Sequence, residues 1–294
     1  MTGVLVVGVA VVDYVFFVDS FPNAAEKYRA RDALVVGGGC AGNAAVAIAR
    51  LGGTAHLATR LGGDATGALI EADLAAEGVD MALTDRSGAR SSCSSILVDA
   101  AGERQIVNFR GSGLTELTAQ FAGAPDVGAV LADNRWLNGA RAAMELARVR
   151  GVPGVLDIEA PADASGMSRA SHMAFSTQGL DAFYPGLEPP LALERAVEEY
   201  GGWACVTLGA DGALIYDDEG EVHVPGFAVD VVDTLGAGDV WHGAFALRLA
   251  DGADEIAAVR FANAAAALKC ARPGGRAGAP GRAEVEALIG GEGP

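Results

Sequence analysis

The sequence predicts an α/β protein with a mostly parallel central sheet, helices on both faces and a small β-sheet lid. From residue 64 onward, helical and strand-like patterns alternate at the spacing of βα units. The continuous apolar run Gly3–Val9 is typical of a strand buried on both faces. Two strand pairs near the N-terminus have no crossover helix between their members. We therefore expect one domain over residues 1–294, with a lid formed by about 14–36 and 92–110.

The composition narrows the classes of function. Of the 294 residues 51% are apolar, which is enough for a full core, and the net charge is −17. This charge argues against binding to nucleic acid or to an anionic membrane surface. No apolar run reaches the roughly 18 residues of a membrane helix. We expect a cytoplasmic protein, because no signal peptide is recognisable and the scattered cysteines suit a reducing compartment.

The predicted elements follow from apolar periodicity and turn residues. The lid strands are Tyr14–Asp19, Tyr28–Val36, Ser94–Asp99 and Gln105–Phe109. Further strands are His56–Leu61, Val130–Asp133, Gly154–Ile158, His172–Ser176, Ala204–Leu208, Ala213–Tyr216 and Phe227–Val232. A helix is predicted within residues 37–53, and others at Asp64–Glu77, Gly139–Arg150, Leu191–Tyr200, Gly238–Leu249, Asp254–Lys269 and Arg282–Ile289.

Polar residues follow several of these strands, and ligands of open parallel sheets bind beyond the carboxyl ends of the strands. The residues are Asp13, Asp133, Asp157, Glu159, Ser176 and Thr207. Asp13, which follows the first strand, is either a hydrogen-bonding partner of a polar ligand or a turn residue. The row predicts that this edge of the sheet is the active one.

The segment GGGCAGNAAVAIARLGG, residues 37–53, contains G-x-G-x-x-G at Gly37, Gly39 and Gly42. A dinucleotide-binding turn is rejected, because the glycines follow a lid strand and no acid ends a strand about 20 residues further on. We interpret the segment as a loop that approaches a ligand closely. Asn43 then either binds sugar hydroxyls or caps the helix.

The segment VVDTLGAGD, Val231–Asp239, combines an acid, a glycine turn and a second acid at a helix start. Glycines allow close approach, and the unpaired N–H groups of a helix N-terminus suit phosphate. A carboxylate beside phosphate, here Asp239, suits a general base that takes a proton from an attacking hydroxyl. The alternative is a helix cap made by Asp233 or Asp239.

Two motifs together carry a family resemblance. VVDTLGAGDVWHGAF resembles the C-terminal signature of the ribokinase/PfkB family of sugar kinases, and GGGCAGNAAVAIARLG resembles its N-terminal glycine signature. Their order, their separation of about 190 residues and the chain length also agree. The resemblance implies a ribokinase-like fold, ATP-dependent phosphorylation of a sugar hydroxyl, and often a homodimer through the lid.

The resemblance also implies roles for individual residues. Asp239 resembles the catalytic base, and Gly236, Ala237 and Gly238 resemble the anion hole. Asp13, Gly38, Gly39 and Asn43 resemble sugar-binding positions. The ATP-binding positions implied are Ser176, Thr207, Gly209, Gly212, Gly238 and Asn263.

Two metal ions are implied. Asp233 and the carbonyl of Leu235, with backbone from residues 267–275, resemble a monovalent-cation site, which suits K⁺. Mg²⁺ is expected with ATP, because it neutralises the phosphates. Family members often carry Asn-x-x-Glu where this chain has Ser176-Thr177-Gln178-Gly179. The protein ligands of Mg²⁺ are therefore reduced in number, and water is expected to supply the rest.

Because the chain is acidic, its few basic residues are candidates for binding an anionic substrate. The sequence around Lys27, Asn108 and Arg135 looks most like the branch of the family that phosphorylates 6-deoxy-6-sulfofructose at O1. In that branch a lysine, an asparagine and an arginine bind the sulfonate. Arg110 either joins this anion pocket or shifts its preference. Each basic residue is otherwise a solvated surface charge.

Other readings stay open. One alternative substrate is fructose 6-phosphate or tagatose 6-phosphate, whose phosphate would need a further cation in the site, and Arg110 supplies one. Another is 2-keto-3-deoxygluconate, whose anionic group is a carboxylate. A neutral-ketose kinase would leave Lys27 and Arg135 unexplained. A non-catalytic sugar- or nucleotide-binding regulator is a different class, against which the intact Asp239, Gly236 and Gly238 argue.

Overall fold

The computed structural model describes residues 3–161, 163–164 and 166–291. In chain order the strands are β1 (Gly3–Val7), β2 (Val11–Phe17), β3 (Asp32–Gly38), β4 (Thr54–Ala58), β5 (Arg60–Gly62), β6 (Asp85–Gly88), β7 (Cys93–Val98), β8 (Arg104–Phe109), β9 (Ala129–Asp133), β10 (Gly154–Ile158), β11 (His172–Ser176), β12 (Trp203–Thr207), β13 (Ala213–Asp217) and β14 (Gly220–Val224). The α-helices are α1 (Cys40–Arg50), α2 (Ala65–Ala76), α3 (Leu137–Arg150), α4 (Thr177–Phe183), α5 (Pro189–Tyr200), α6 (Ala237–Ala250), α7 (Glu255–Cys270) and α8 (Arg282–Ile289).

The central sheet has eight strands in the order β14-β13-β12-β11-β10-β9-β1-β4. The run from β12 to β4 is parallel, whereas β13 and β14 add an antiparallel edge. Apolar residues of α1, α6 and α7 form the core on one face, and those of α3, α4 and α5 form the core on the other. The predicted three-layer α/β architecture is confirmed.

A separate four-stranded sheet, which we call the lid sheet, has the order β3-β2-β7-β8. Its strands pair in register, so that Asp13 lies opposite Ser94, and Ser94 lies opposite Asn108. Paired residues point to the same face of a sheet. The lid sheet therefore presents a polar row, Asp13, Ser94 and Asn108, on one face.

Two sequence predictions are wrong. Residues 227–232 form no strand: Val231 and Val232 are exposed, and the backbone N–H of Val232 donates to the carbonyl of Cys270. No described strand pairs with this run, which is held instead by the end of α7. Asp13 does not follow β1; it lies inside β2, because the chain turns into the lid sheet as early as Val11.

Within the described part of the chain, no helix is both long and apolar enough to cross a membrane.

Candidate active site

A cavity of about 880 Å³ lies between the lid sheet and the carboxyl ends of β1, β9 and β10. Asp239 and the loop before it form one wall, and the polar row of the lid sheet forms another. Asn43 and Gly39, from the start of α1, complete the wall beneath them. The structure thus brings both glycine segments, far apart in the sequence, to one site.

The turn before Asp239 has the conformation that its glycines predict. Gly236 has a φ of 75°, in the left-handed region, and α6 begins at the next residue. Gly236, Ala237 and Gly238 line the cavity at the start of α6, where the first N–H groups have no partner within the helix. The N–H of Ala237 donates to the carbonyl of Thr234 at 3.2 Å. Together with the helix dipole, the N–H groups at this helix start form a site for negative charge.

Asp239 lies in the first turn of α6, where Asn43 donates from Nδ2 to its Oδ2 at 2.7 Å. Burial raises the pKa of Asp239 to about 7; the hydrogen bond from Asn43 opposes this rise, and the negative charge of Glu159 adds to it. A carboxylate with this pKa is half ionised near neutral pH and suits a general base.

Glu159 faces the same cavity and is held by Arg135, whose Nη2 donates to Oε2 at 2.6 Å. The Cys40 thiol also lies 3.7 Å from this carboxylate oxygen. From the sequence, Glu159 was one of the polar residues that follow a predicted strand, and no role in the site was assigned to it. Only the loop geometry after β10 shows that it stands beside Asp239.

Asp133, by contrast, is buried and acts as a structural tie. Its carboxylate accepts the backbone N–H groups of Val9 at 2.8 Å, Ala41 at 3.1 Å and Arg135 at 2.9 Å. Burial raises its pKa to about 6, against these hydrogen bonds. Asp133 therefore holds β1, α1 and β9 at one point.

On the lid side, Asp13 is buried and hydrogen-bonded to Ser94. Burial raises its pKa, whereas Ser94 and the nearby Arg276 guanidinium lower it. A Cβ on Gly38 would lie 2.1 Å from the Asp13 carboxylate, so only glycine fits there. Arg276 was not predicted; it is buried behind this carboxylate.

The predicted anion-binding residues separate into two groups. Asn108, Arg110 and Arg135 line the cavity, with Arg60 as an unpredicted neighbour. Lys27 is exposed, in the irregular segment between β2 and β3, and does not line the cavity. The structure therefore does not bring Lys27 together with the other three.

The predicted ATP-binding residues other than Gly238 lie outside this cavity. Ser176 and Thr207 are paired at the carboxyl ends of β11 and β12. The Ser176 hydroxyl caps α4 by accepting the N–H of Gly179 at 3.0 Å. The turn at Gly209 and Gly212, both with positive φ, follows β12.

Asn263 is buried and already hydrogen-bonded. Its Oδ1 accepts Trp241 Nε1 at 2.8 Å, and its Nδ2 donates to the carbonyls of Val224 and Pro225, each at 3.1 Å. Both amide hydrogens therefore tie α7 to the end of β14.

For Mg²⁺, the described residues offer one set of converging ligand atoms at the site, from Cys40, Glu159 and Asp239. A thiol is a poor ligand for this hard cation, so the set is no all-protein magnesium cage. Mg²⁺ is usually held by one or two carboxylates with phosphate and water. Glu159 fits that role.

The predicted monovalent-cation site does not fit such an ion. The side-chain ammonium of Lys269, which is fully buried, lies 2.5 Å from the Asp233 carbonyl and 3.3 Å from its Oδ2. The Asp233 carboxylate is one of the predicted ligands of the ion. Arg104 Nη2 donates to the other carboxylate oxygen of Asp233 at 2.9 Å, and that oxygen also accepts the N–H of Leu235.

Comparisons with known proteins agree with this geometry. The sequence profile described as "pfkB family carbohydrate kinase" matches residues 1–282. The chain is 31% identical to the ribokinase of Bacillus subtilis strain 168 over 98% of this chain and 100% of the relative. It is 30% identical to the ATP-dependent ribose-1-phosphate kinase of Halopiger xanaduensis over 94% of each chain.

Among solved structures, the ribokinase of Thermotoga maritima is similar, with a TM-score of 0.86 and 27% identity. That likeness covers 99% of this chain and 100% of the other. Sequence and structure thus agree over nearly the full length. The chain belongs to the pfkB family of carbohydrate kinases, which transfer a phosphoryl group to a sugar hydroxyl, and it has the ribokinase-like fold.

Proposed function

We propose that the protein uses ATP to phosphorylate the O1 hydroxyl of an anionic ketose, and that this ketose is 6-deoxy-6-sulfofructose. The observation that carries the anionic substrate is Arg110. It lines the cavity of Asp239, and no hydrogen bond or ion pair to another described residue holds it. A cation without a partner in an acidic chain suits a negatively charged ligand.

The other cavity arginines are already paired. Arg135 is bound to Glu159, and Arg60 is bound to Glu116 and to the carbonyl of Thr115. Asn108, whose Nδ2 donates to Ser94 Oγ at 3.1 Å, adds an amide next to Arg110. In the proposal Asn108 and Arg110 bind the sulfonate, and Arg135 supports them. Lys27 joins them only when its segment folds over the bound sugar.

The proposed reaction follows from the site. The sugar is bound by Asp13, Gly38, Gly39 and Asn43, and Asp239 accepts the proton of the O1 hydroxyl. The oxygen attacks the γ-phosphorus as the bond to the ADP oxygen breaks. The N–H groups at Gly236–Gly238 stabilise the charge on the transferred group.

ATP is proposed to lie beyond β11 and β12, where Ser176, Thr207, Gly209 and Gly212 are placed. Asn263 supports this pocket through the end of β14. Family kinases generally require Mg²⁺, and in this proposal Glu159 helps to hold it near the phosphates, where it neutralises charge.

ADP release over a panel of sugars tests the proposal. The panel contains 6-deoxy-6-sulfofructose, fructose 6-phosphate, tagatose 6-phosphate, 2-keto-3-deoxygluconate, fructose, ribose and ribose 1-phosphate. We expect the highest kcat/KM with the sulfonate. Preference for a sugar phosphate would move the assignment to those substrates, and preference for ribose or fructose would remove the anionic substrate. If no sugar is turned over, the remaining assignment is a non-catalytic sugar- or nucleotide-binding regulator.

Arg110→Gln separates recognition of the anion from chemistry. Loss of a charge-assisted contact of about 1.5–3 kcal/mol should raise KM for the anionic sugar roughly 10- to 100-fold. KM for ATP should change little. Arg195→Gln, on the outer surface of α5, is the matched control and should change neither constant. An equal rise in both KM values for Arg110→Gln would remove it from the sugar site.

We also propose that the protein forms a homodimer through the lid sheet. Each chain is proposed to act as one kinase domain, in the cytoplasm. Two exposed apolar residues, Val35 by 56% and Val107 by 69%, share the face of the lid sheet that points away from the polar row. Leu34 and Ile106, exposed by 43% and 53%, lie on the other face, where Ile106 lines the cavity. Exposed apolar residues such as Val35 and Val107 suit an interface between copies. Val107→Lys should yield monomers in light scattering, whereas Val149→Lys, at an equally exposed site on α3, should not. A wild-type monomer would contradict the dimer.

A further inference from the structure

Lys269 is a buried lysine at the end of α7, outside the cavity and outside the roles described above. Its side chain is fully buried, and its ammonium contacts the carbonyl and the carboxylate of Asp233. Burial lowers the pKa of Lys269, while the charge of Asp233 opposes the shift. A buried charge is retained in a fold only when it is paired, and here the partner begins the active-site loop.

Asp233 leaves little room for another cation. One carboxylate oxygen accepts the N–H of Leu235 and Arg104, each at 2.9 Å. The other accepts the N–H groups of Gly274 at 3.1 Å and Gly275 at 2.9 Å, beside Lys269. These contacts use the acceptor positions of a carboxylate, about four in number. Two positive side chains already face one negative charge, so a further cation would be repelled.

The contacts of Asp233 lead directly to the anion hole. The N–H groups of Val232 and Asp233 donate to the carbonyl of Cys270, which anchors the loop to the end of α7. The next residues of the loop, Thr234 to Gly238, line the cavity. Asp233 therefore connects the ammonium of Lys269 to the loop that ends at Gly236–Gly238.

We propose that Lys269 is a positioning residue whose ammonium takes the place of a bound monovalent cation, so that this kinase needs no K⁺. The inference depends on the phosphoryl transfer of the family and not on which sugar is the substrate. A lysine supplied by the chain is always present, whereas a free ion must bind from solution. The loop is then ordered at any K⁺ concentration.

The first experiment uses the wild-type protein. ADP release is measured in K⁺, Na⁺ or tetramethylammonium chloride at equal ionic strength, with any sugar of the panel that reacts. We expect kcat to agree within about twofold, because the ammonium is covalently held. A severalfold rise of kcat in K⁺ would overturn the proposal.

Two substitutions test the role of the charge. Lys269→Met keeps the bulk without the charge, and Lys269→Ala leaves space for an ion. Both should lower kcat at least tenfold with a smaller change in the sugar KM. K⁺ should restore activity severalfold in Lys269→Ala but not in Lys269→Met. Loss without rescue in both variants would mean that Lys269 only packs.

Thermal unfolding of the free protein gives a readout that needs no substrate. K⁺ should raise the Tm of Lys269→Ala relative to tetramethylammonium and leave the wild-type Tm unchanged, because only the variant binds the ion. This measurement separates failure of the lysine proposal from failure of the sugar assignment. A wild-type Tm that rises with K⁺ would contradict it even if both variants fail to fold.

Discussion

Asn43 on α1 donates a 2.7 Å hydrogen bond to the carboxylate of Asp239 on α6, across 196 residues of sequence. Its side-chain Oδ1 is buried without a described protein partner. The amide donor therefore stabilises the ionised form of Asp239, while the Oδ1 acceptor stays unpaired among the described residues. This single contact joins the two glycine segments that carry the family resemblance.

Asn43→Ala removes the donor that favours the charged form of Asp239. We expect the pKa of Asp239 to rise, so the acid limb of the pH profile of kcat/KM moves to higher pH. The measurement is kcat/KM from pH 5 to 9 for both proteins. An unmoved limb would mean that Asn43 does not act on the base.

Glu159→Gln should have the opposite effect. The charge of Glu159 raises the pKa of Asp239, and removing it should move the acid limb to lower pH. The control is Glu145→Gln on the outer surface of α3, which should leave the profile in place. An acid limb that moves to higher pH would show that the charge of Glu159 does not raise the pKa of Asp239.

Asp239→Asn removes the base and should lower kcat by about 10²–10⁴-fold. The folded-state pKa of about 7 lies above the ordinary 3.8, so ionisation of Asp239 opposes folding. Its cost is absent below about pH 4, grows between about pH 4 and pH 7, and is fully present at higher pH. The Tm of Asp239→Asn at pH 8 should therefore equal or exceed that of the wild type, and a lower Tm would contradict this account.

Gly236→Ala tests the turn before the anion hole. An alanine at a φ of 75° costs about 1–2 kcal/mol, and its Cβ would lie 3.3 Å from Asn43 Nδ2. The Tm should fall by a few degrees. Gly238→Ala is the matched control, because no heavy atom outside the helix lies within 4 Å of its Cβ. Equal Tm values for both variants would remove the strain argument.

Local patterns predicted most of the secondary structure. β10, β11 and α8 have the predicted bounds, because apolar periodicity and turn residues mark their ends. The small helix α4 and the edge strand β14 were not predicted. Residues 227–232 form an apolar, β-like run, but strand formation requires pairing with a neighbouring strand, and no described strand pairs with them.

The candidate site, like the secondary structure, was predictable from the sequence only in part. Asp239, Asn43 and the glycines of both segments were predictable, because helix starts and close approaches require particular residue types. Glu159, Arg60 and Arg276 were not, since each gains its position from contacts between distant segments. Arg110 was named as an open alternative; it directly follows β8 and lies in the cavity wall.

The order of apolar and polar residues was thus enough for the α/β class and for the family, and it led to the proposal of Asp239 as the base, because these depend on periodicity and on short motifs. Packing was needed to raise the pKa of Asp239 and to place the buried ammonium of Lys269 on Asp233. Both depend on burial and on charges brought within a few ångströms. Such distances arise only when the sheets and helices have assembled.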